Sequence, residues 1–434
     1  MIYVYALIAA ALVVLILIGF PVGFGAALAS TVGAAYFFGD LFDPRVHSMI
    51  ARLAFSKIDN FLLLAIPFFL LAGRLMNTGG TTERLFGFVS LLVRPLKGGL
   101  GHANVLASMI FAGMSGAATA DAVGLGTVEM KAMLNEGYDR RFSAGITAAS
   151  SLIGPIIPPS IALVAYGVIA EVSVGALFMA GIVPGCLLAV VFMMYVTWRA
   201  HRDNYPSGPF ARAGELWVAL RRGFLPLMTP VIIIGGIYSG VFTPTEAAAV
   251  AAFYAMFLGL IVYREFGWRR LLSEIRGTMI DSAVIMLVIA FTSAFGVVMI
   301  RGGVPTALAE LLTGITSDPT MLLLLMTGLF LVVGCFMAET PAILILTPIL
   351  LPAAEQFGVD PVHFGIVMAL ALTAGLLTPP VGMVLYALVR VTELPFEKLA
   401  VLAIPYVIMT LAVVVLLIFV PQLVLFLPEL MRGG

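Results

Sequence analysis

Two stretches of this chain combine prolines, glycines and hydroxyl side chains in a pattern that could bind a metal cation. They run from Gly113 to Pro159 and from Gly334 to Pro380, 221 positions later. Proline has no backbone N–H, so it leaves the carbonyl of the residue four positions earlier without its helical partner. The carbonyls affected in this way belong to Gly154, Pro155, Gly375 and Leu376. Carbonyl and hydroxyl oxygens are the ligands that hard cations prefer, and sodium is the cation we expect here.

The two stretches match at residue types that an apolar composition does not explain. Without a gap, the alignment pairs glycines, a Gly-x-Asp turn and two adjacent prolines. The pairs are Gly113/Gly334, Thr119/Thr340, Gly137/Gly358, Asp139/Asp360, Gly154/Gly375, Pro158/Pro379 and Pro159/Pro380. This agreement indicates an ancient duplication.

Each copy therefore predicts one sodium site between a hairpin tip and a proline break. The first site is predicted to use Gly113, Ser115, Thr119, Gly154, Pro155 and Ser160. The second is predicted to use Gly334, Thr340, Thr373, Gly375, Leu376 and Thr378. Helices restarting after Thr119, Ser160, Thr340 and Pro380 would direct their positive ends at the space between the tips, which favours an anion. The candidates for contact with that anion are Ser115, Gly116, Asp121, Pro158, Glu339 and Pro379.

Several of these residues also have a purely structural interpretation. Thr119 and Thr340 suit helix N-caps, alone or in addition to ion contact. Asp121 and Glu339 lie beside predicted breaks, where an acidic side chain either takes part in function or stabilises a helix start. Arg74, near the end of a predicted span, is expected to extend its charge to the membrane surface.

Composition places these stretches in a membrane protein. The chain has 434 residues, of which 62% are hydrophobic and 11% charged, and its mean hydropathy is +1.12. A soluble domain carries roughly 25% charged residues. The net charge is zero, so nothing indicates a nucleic-acid partner. The two cysteines, Cys186 and Cys335, are interpreted as small buried apolar residues.

Apolar runs predict two repeats, residues 1–222 and 223–434, of an all-α polytopic protein. In repeat one the scaffold spans lie within 2–77, where the polar interval 40–57 is predicted to connect two of them, and the arm is 81–97. The transport part is 102–168 with a re-entrant hairpin at 102–136, and a further scaffold-side span is 176–198. In repeat two the scaffold spans lie within 224–300 and the arm is 302–318. The transport part is 320–389 with its hairpin at 320–357, and the last span is 399–427. Each repeat has five full spans plus one hairpin. An odd number of crossings turns the second copy upside down relative to the first.

Basic residues orient the chain. If the first hairpin enters from the cytoplasm, most of the 23 lysines and arginines lie on the cytoplasmic side, including those of the predicted loop 199–222. The exceptions are Arg45, Arg52, Lys57, Arg301 and Arg432. Both termini are then predicted to be periplasmic.

With these motifs in place, the sequence resembles the large membrane subunit of the tripartite ATP-independent periplasmic (TRAP) transporters over nearly its whole length. The resemblance rests on Gly113-Met-Ser-Gly-Ala-Ala-Thr-Ala-Asp121, Ile153-Gly-Pro-Ile-Ile-Pro-Pro-Ser160, Glu339-Thr-Pro341 and Gly375-Leu-Leu-Thr-Pro-Pro380. It implies a bacterial inner-membrane carrier that is not an enzyme, has no cofactor beyond coupling sodium ions, and moves a transport domain against a scaffold as an elevator. It also implies three interacting molecules: a separate four-helix membrane subunit, a periplasmic solute-binding protein and a carboxylate or sugar-acid substrate.

Two other functions compete with this interpretation. A self-sufficient sodium/dicarboxylate symporter would share the architecture, although its Ser-Asn-Thr tips are absent from this sequence. An intramembrane serine protease is suggested by Gly113-Met-Ser-Gly116, but none of the four histidines lies in an obvious general-base motif. Phe336 occupies the position of Ser115 in the second copy, which also argues against a protease.

Overall fold

The computed structural model describes residues 2–432, apart from the side chains of residues 2, 113–115 and 432. Within that range the chain is helical and contains no strand, so the predicted all-α class is confirmed. The helices are α1 (Ile2–Leu17), α2 (Val22–Phe38), α3 (Pro44–Ile58), α4 (Ala65–Thr78), α5 (Thr81–Val93), α6 (Gly99–Ser115), α7 (Ala118–Asn135), α8 (Arg140–Ser150), α9 (Ile161–Ala170), α10 (Val174–Arg202), α11 (Ala213–Tyr238), α12 (Pro244–Phe257), α13 (Trp268–Arg301), α14 (Val304–Thr313), α15 (Pro319–Gly334), α16 (Glu339–Gln356), α17 (Pro361–Gly375), α18 (Met383–Thr392), α19 (Phe396–Phe419) and α20 (Gln422–Arg432).

Six helical segments among the described residues are long and apolar enough to cross a membrane. They are Phe61–Thr78, Val174–Arg202, Ala213–Tyr238, Pro244–Val262, Trp268–Arg301 and Phe396–Phe419. The first joins α4 to a 3-10 turn at Phe61–Leu64, and the fourth extends α12 by a π-helical turn at Leu258–Val262. Most of the remaining apolar helices are shorter, because glycine and proline divide them.

The short helices form two similar units. In each unit, two helices make a hairpin, and the next two are separated by a non-helical break. The first unit contains α6, α7, α8 and α9, and the second contains α15, α16, α17 and α18. Both α7 and α16 have 18 residues, and both α9 and α18 have 10. The Pro-Pro bond in each break is cis.

The two units also pack against each other. Helix α9 of the first unit contacts α16 of the second, and α18 of the second contacts α7 of the first. Around them, α4 packs on α12, α13 packs on α2, α3 and α4, and α5 packs on α11. The sequence repeats thus produce one interlocked helical core within which the breaks lie.

Three segments differ from the sequence prediction. The interval 40–57 was predicted to be a polar connection, but α3 begins there at Pro44 and buries Val46, Ile50 and Ala54 on one face. The predicted span 399–427 is divided, since α19 ends at Phe419 and Pro421 precedes α20. The basic segment 199–222 is mainly helical at both ends, which leaves only residues 203–212 as a connection.

Candidate ion and substrate site

The first break is a buried turn between α8 and α9. It begins with a 3-10 turn at Ser151–Ile153, and the residues through Ser160 are buried. Ser160 caps the restarting helix, because its Oγ accepts a hydrogen bond from the backbone N–H of Leu163 at 3.2 Å. The same hydroxyl donates to the carbonyl of Pro155. Two predicted ligands of the first site are therefore in direct contact with each other.

The tip of the first hairpin lies directly on this break. Gly116, between α6 and α7, has a φ of +63°. A Cβ at Gly116 would lie 2.6 Å from the carbonyl oxygen of Pro159 and 3.2 Å from the backbone nitrogen of Ile161. Only glycine permits both this backbone conformation and this approach. The surroundings of Gly113 and the side chain of Ser115 lie outside the described part of the chain, so the sodium contacts predicted for these two residues stay predictions.

Asp121 joins the hairpin to the break from the side. Its side chain is 2% exposed, and a Cβ at Gly154 would meet the Asp121 carboxylate. The structure therefore places this predicted substrate residue against the backbone of the first predicted sodium site. Thr119 is half-buried nearby. Pro158 is buried within the turn.

The second hairpin and break approach one another even more closely. A Cβ at Gly334 would meet the carbonyl oxygen of Leu372 and lie 3.1 Å from the α-carbon of Gly375. One residue further along, the carbonyl of Cys335 accepts a hydrogen bond from the N–H of Gly382 at 3.1 Å. The tip is thus in contact with both ends of the second break.

Two threonines of the second predicted site, one at the end of α17 and one in the turn that follows it, bond back to α17 through their hydroxyls. Thr373 Oγ1 donates to the carbonyl of Ala369 at 2.6 Å, and Thr378 Oγ1 donates to the carbonyl of Ala374 at 3.1 Å. Thr373 is 1% exposed. Each hydroxyl oxygen keeps acceptor lone pairs after donating its proton. These oxygens could therefore coordinate a cation without losing the hydrogen bonds they make.

Most of the carbonyls released by proline have found donors within the protein. The carbonyl of Pro155 accepts from Ser160. The carbonyl of Gly375 accepts from the N–H of Thr378 at 2.8 Å, and that of Leu376 accepts from the N–H of Val384 at 3.2 Å. These three carbonyls therefore do not depend on a cation for a partner, because the turns fold back on themselves. A carbonyl oxygen has two lone pairs, so each keeps capacity for a second partner.

The helix starts also differ from those predicted. Helix α7 is preceded by Ala117 and α16 by Ala338, and neither position provides a side-chain cap. Thr119 and Thr340 are each the second residue of a helix, so the N-cap interpretation is wrong for both. In the second break the helix restarts at Met383, not directly after Pro380.

Glu339 lies in the second hairpin and Pro379 in the second break, and the two residues differ in exposure. Glu339 is the first residue of α16 and is 6% exposed. Its position suits a carboxylate that stabilises a helix start. Pro379 is exposed, unlike the buried Pro158 of the first copy.

A cavity of about 370 Å³ connects the first hairpin to the surrounding helices. It lies between α4, α13 and α7 and reaches Ala117 and Ala120 at the hairpin tip. Both Gly124 and Asn77 line it, and a Cβ at Gly124 would lie 2.8 Å from the side-chain nitrogen of Asn77. The cavity therefore opens where the hairpin meets α4.

Arg74 lines this cavity and does not simply extend to the membrane surface as expected. Its guanidinium pairs with Asp281 and, at 3.4 Å, with Glu274, both on α13. Glu274 also pairs with Arg270 at 2.9 Å. Sequence reasoning missed this cluster because its partners are about 200 positions apart. The signal that could have found it is the presence of both Arg74 and Asp281 inside predicted apolar spans.

A separate buried network lies along the first hairpin. The side-chain nitrogen of Asn104 on α6 donates to Glu129 on α7 and to Thr147 on α8, each at 2.8 Å. Ser108 contributes a longer contact to the same carboxylate at 3.5 Å. Asn104, Glu129 and Thr147 are at most 1% exposed. This network fixes the hairpin to the helix that leads into the break.

The long apolar helices and the paired hairpins and breaks define a multi-pass membrane permease. Comparison with known proteins identifies its family. Residues 9–423 match the family described as "Tripartite ATP-independent periplasmic transporter, DctM component", and the chain belongs to that family.

Relatives of this chain are named as TRAP permeases. It is 44% identical over 385 residues to the sialic acid TRAP transporter large permease protein SiaM of Vibrio cholerae, covering 89% of each chain. It is 38% identical to the 2,3-diketo-L-gulonate TRAP transporter large permease protein YiaN of Escherichia coli, over 91% of this chain and 92% of the relative. It is 39% identical to the sialic acid TRAP transporter permease protein SiaT of Haemophilus influenzae, over 91% of this chain but 63% of that longer relative.

A solved structure supports the fold alone. The YdaH transporter of Alcanivorax borkumensis, described as having an unusual topology, matches with a TM-score of 0.64 and 15% identity. The match covers 88% of this chain and 89% of YdaH.

Proposed function

We propose that this chain is the large permease subunit of a transporter that uses a sodium gradient to import an organic anion. The observation that carries the proposal is the pair of hairpin tips, each in contact with a proline break of its own copy. Breaks of this kind place backbone oxygens and helix ends within the membrane, where they can serve an ion or an anion. The proposed setting is the bacterial inner membrane, with both termini periplasmic.

Sodium would bind once in each copy. In the first copy the proposed ligands come from the tip at Gly113, Ser115 and Thr119 and from the break at Gly154, Pro155 and Ser160. In the second copy they come from Gly334 and Thr340 and from Thr373, Gly375, Leu376 and Thr378. Because tip and break touch, an ion held between them would fix their relative position. This arrangement is what would couple sodium binding to the shape of the substrate space.

The substrate would occupy the space beside the two tips. The proposed contacts remain Ser115, Gly116, Asp121, Pro158, Glu339 and Pro379. The first hairpin already adjoins a cavity that reaches Ala117 and Ala120. The positive ends of α7 and α16 favour an anion at the tips, since neither helix start has a side-chain cap.

Transport would follow an elevator motion. The moving part would comprise the two hairpins and broken helices, residues 102–168 and 320–389. The remaining spans and the arms 81–97 and 302–318 would form the scaffold. An inverted relation between the repeats 1–222 and 223–434 would make the inward and outward states structurally equivalent. The close contact between Gly124 and Asn77 lies at the boundary between these proposed bodies.

The names of the relatives indicate the class of substrate and the partners. They specify sialic acid, isethionate, 2,3-diketo-L-gulonate and C4-dicarboxylates, which are all small organic anions. For this chain we propose a carboxylate or sugar acid delivered by a periplasmic solute-binding protein. We also propose a separate four-helix membrane subunit. The greater length of SiaT, of which this chain covers 63%, is consistent with a second component joined to the same polypeptide in that relative.

Reconstituted transport tests the proposal. The chain and its small membrane subunit would be placed in liposomes with an inward sodium gradient, a cognate binding protein and one radiolabelled anion from the four classes at a time. We expect uptake of at least one anion that needs both sodium and the binding protein. Uptake without the binding protein would instead favour a self-sufficient symporter, and uptake without sodium would overturn the coupling.

A further inference from the structure

A second, larger cavity lies between the arm helix α5 and the first turns of α11. Its volume is about 1090 Å³. The two helices approach closely at one point, where a Cβ at Gly223 would lie 3.1 Å from Cβ of Phe88. We call this cavity the arm groove. It is lined by Glu83, Arg84, Gly87, Phe88, Leu91, Arg94, Gly214, Glu215, Val218, Ala219, Arg222, Tyr263 and Glu265.

Most of the charges around the arm groove neutralise each other. Arg84 pairs with Glu265 at 2.7 Å and also lies over the ring of Tyr263, 4.1 Å from its centre. Arg94 forms a looser pair with Glu215 at 3.7 Å. Within residues 2–432, the two remaining charged side chains of the groove, Arg222 and Glu83, form no salt bridge. The groove therefore presents one available positive charge and one available negative charge.

The backbone segments that carry these two charges lie near each other. Arg222 directly precedes Gly223, whose added Cβ would also lie 3.7 Å from the carbonyl oxygen of Arg84. Arg84 is the neighbour of Glu83 in α5. Both Arg222 and Glu83 are exposed. A ligand that carries both a negative and a positive charge could therefore contact both side chains.

The rest of the arm groove is mainly apolar, and an exposed tryptophan adjoins it. Phe88, Leu91 and Val218 line it, and Val218 is 49% exposed. Next to it on α11, Trp217 is 67% exposed, as is typical of tryptophan at the level of lipid headgroups. Helix α11 is also the least buried of the six candidate spans, with 22% of its apolar window covered. The groove is therefore open to lipid from the side.

We propose that the arm groove binds one phosphatidylethanolamine molecule of the cytoplasmic leaflet. The guanidinium of Arg222 would bind the phosphate, since arginine presents several N–H donors to phosphate oxygens. The carboxylate of Glu83 would accept hydrogen bonds from the ammonium group. Phe88, Leu91 and Val218 would contact the glycerol and the upper acyl chains. A headgroup with both charges matches the arm groove better than an anionic headgroup, because the available charges sum to zero.

Lipid retention in native mass spectrometry provides the test. The full-length chain would be purified, depleted of lipid, and titrated separately with phosphatidylethanolamine, phosphatidylcholine and phosphatidylglycerol. We expect the wild-type chain to retain one phosphatidylethanolamine at lipid concentrations at which it binds neither phosphatidylcholine nor phosphatidylglycerol. Arg222→Gln should weaken that retention about tenfold or more, because it removes a charged hydrogen-bond donor. Arg221→Gln is the matched control, since Arg221 is the exposed neighbour on α11 that does not line the arm groove.

A second variant tests the headgroup chemistry. Glu83→Gln should reduce the preference for phosphatidylethanolamine over phosphatidylglycerol while leaving thermal unfolding in detergent unchanged. Equal losses for Arg222→Gln and Arg221→Gln, or equal retention of all three lipids by the wild type, would overturn the proposal. So would loss of the small membrane subunit from Arg222→Gln with lipid retention unaltered, because the arm groove would then be a protein interface. None of these results depends on sodium coupling.

Discussion

The substitution Gly334→Ala tests whether the tip of the second hairpin must touch the second break. Gly334 is the last residue of α15 and faces Gly375, the last residue of α17. A Cβ at Gly334 would meet the carbonyl oxygen of Leu372 and would lie 3.0 Å from its carbonyl carbon. These neighbours are backbone atoms, so a rotation of a side chain cannot relieve the contact.

The size of the effect follows from these distances. Carbon atoms pack comfortably at about 3.5–4.0 Å, so the tip and the break would separate by roughly 0.5–1 Å. Overpacking of this kind usually costs about 1–3 kcal/mol of unfolding free energy. The oxygens proposed to coordinate sodium would move by a similar distance, and a 1 Å misplacement can reduce activity about 100-fold. We therefore expect the sodium concentration for half-maximal uptake to rise by at least about tenfold.

The assay is sodium-dependent uptake in proteoliposomes, normalised to the amount of folded protein and accompanied by thermal unfolding in detergent. Gly328→Ala is the matched control, because Gly328 lies on the same helix and its added Cβ would meet nothing within 4 Å. The control should keep the wild-type sodium titration. A wild-type titration for Gly334→Ala, or an equal loss for Gly328→Ala, would refute the reasoning.

Three further predictions address other parts of the site. Thr378→Val removes a hydroxyl oxygen from the second break, so it should raise the half-maximal sodium concentration while protein yield stays constant; an unchanged sodium titration would count against the second ion site. Asn104→Ala leaves the buried Glu129 without its 2.8 Å donor and should lower the unfolding free energy by about 1–3 kcal/mol. Thermal or denaturant unfolding measures this loss, and a variant as stable as the wild type would show that the network does not hold the hairpin. Lys57→Gln breaks the 2.8 Å pair with Glu171 that joins α3 to the end of α9, and it should change uptake by less than about fivefold because the pair is exposed. The hydrogen bond from Lys57 and its charge lower the pKa of Glu171. The ion pair therefore stabilises the fold fully at pH values above the usual pKa of a glutamate, and this stabilisation is lost as the pH falls through the lowered pKa. The difference between this variant and the wild type should therefore disappear in acid, and a difference that grew in acid would exclude the ion pair as its cause.

The signals that predict the paired hairpins and breaks are local. Proline and glycine tend to interrupt helices through their own backbone properties, so the turns at Gly116 and before Ser160 could be located without knowing which segments pack against them. Helix α3 was missed for a different reason. Its polar residues suggested a connection, although Val46, Ile50 and Ala54 recur at helical spacing and are buried.

The parts that could not be predicted depend on contacts between distant segments. Whether the carbonyl of Leu376 needs a cation depends on the approach of the Val384 N–H, which is set by the shape of the turn. The pairing of Arg74 with Asp281 likewise depends on how α4 packs against α13. A charge inside a predicted apolar span signals that a partner exists, but neither residue alone says which partner that is.

The central claim is that each hairpin tip and its own proline break enclose one sodium ion. The most direct test is a pair of cryo-electron microscopy maps of the permease complex, recorded in sodium and in choline. The account predicts compact density between the first tip and the break at Gly154 to Ser160, and again between Gly334 and Thr378, in sodium only. Maps that show no density at either position, or the same density in choline, would contradict it.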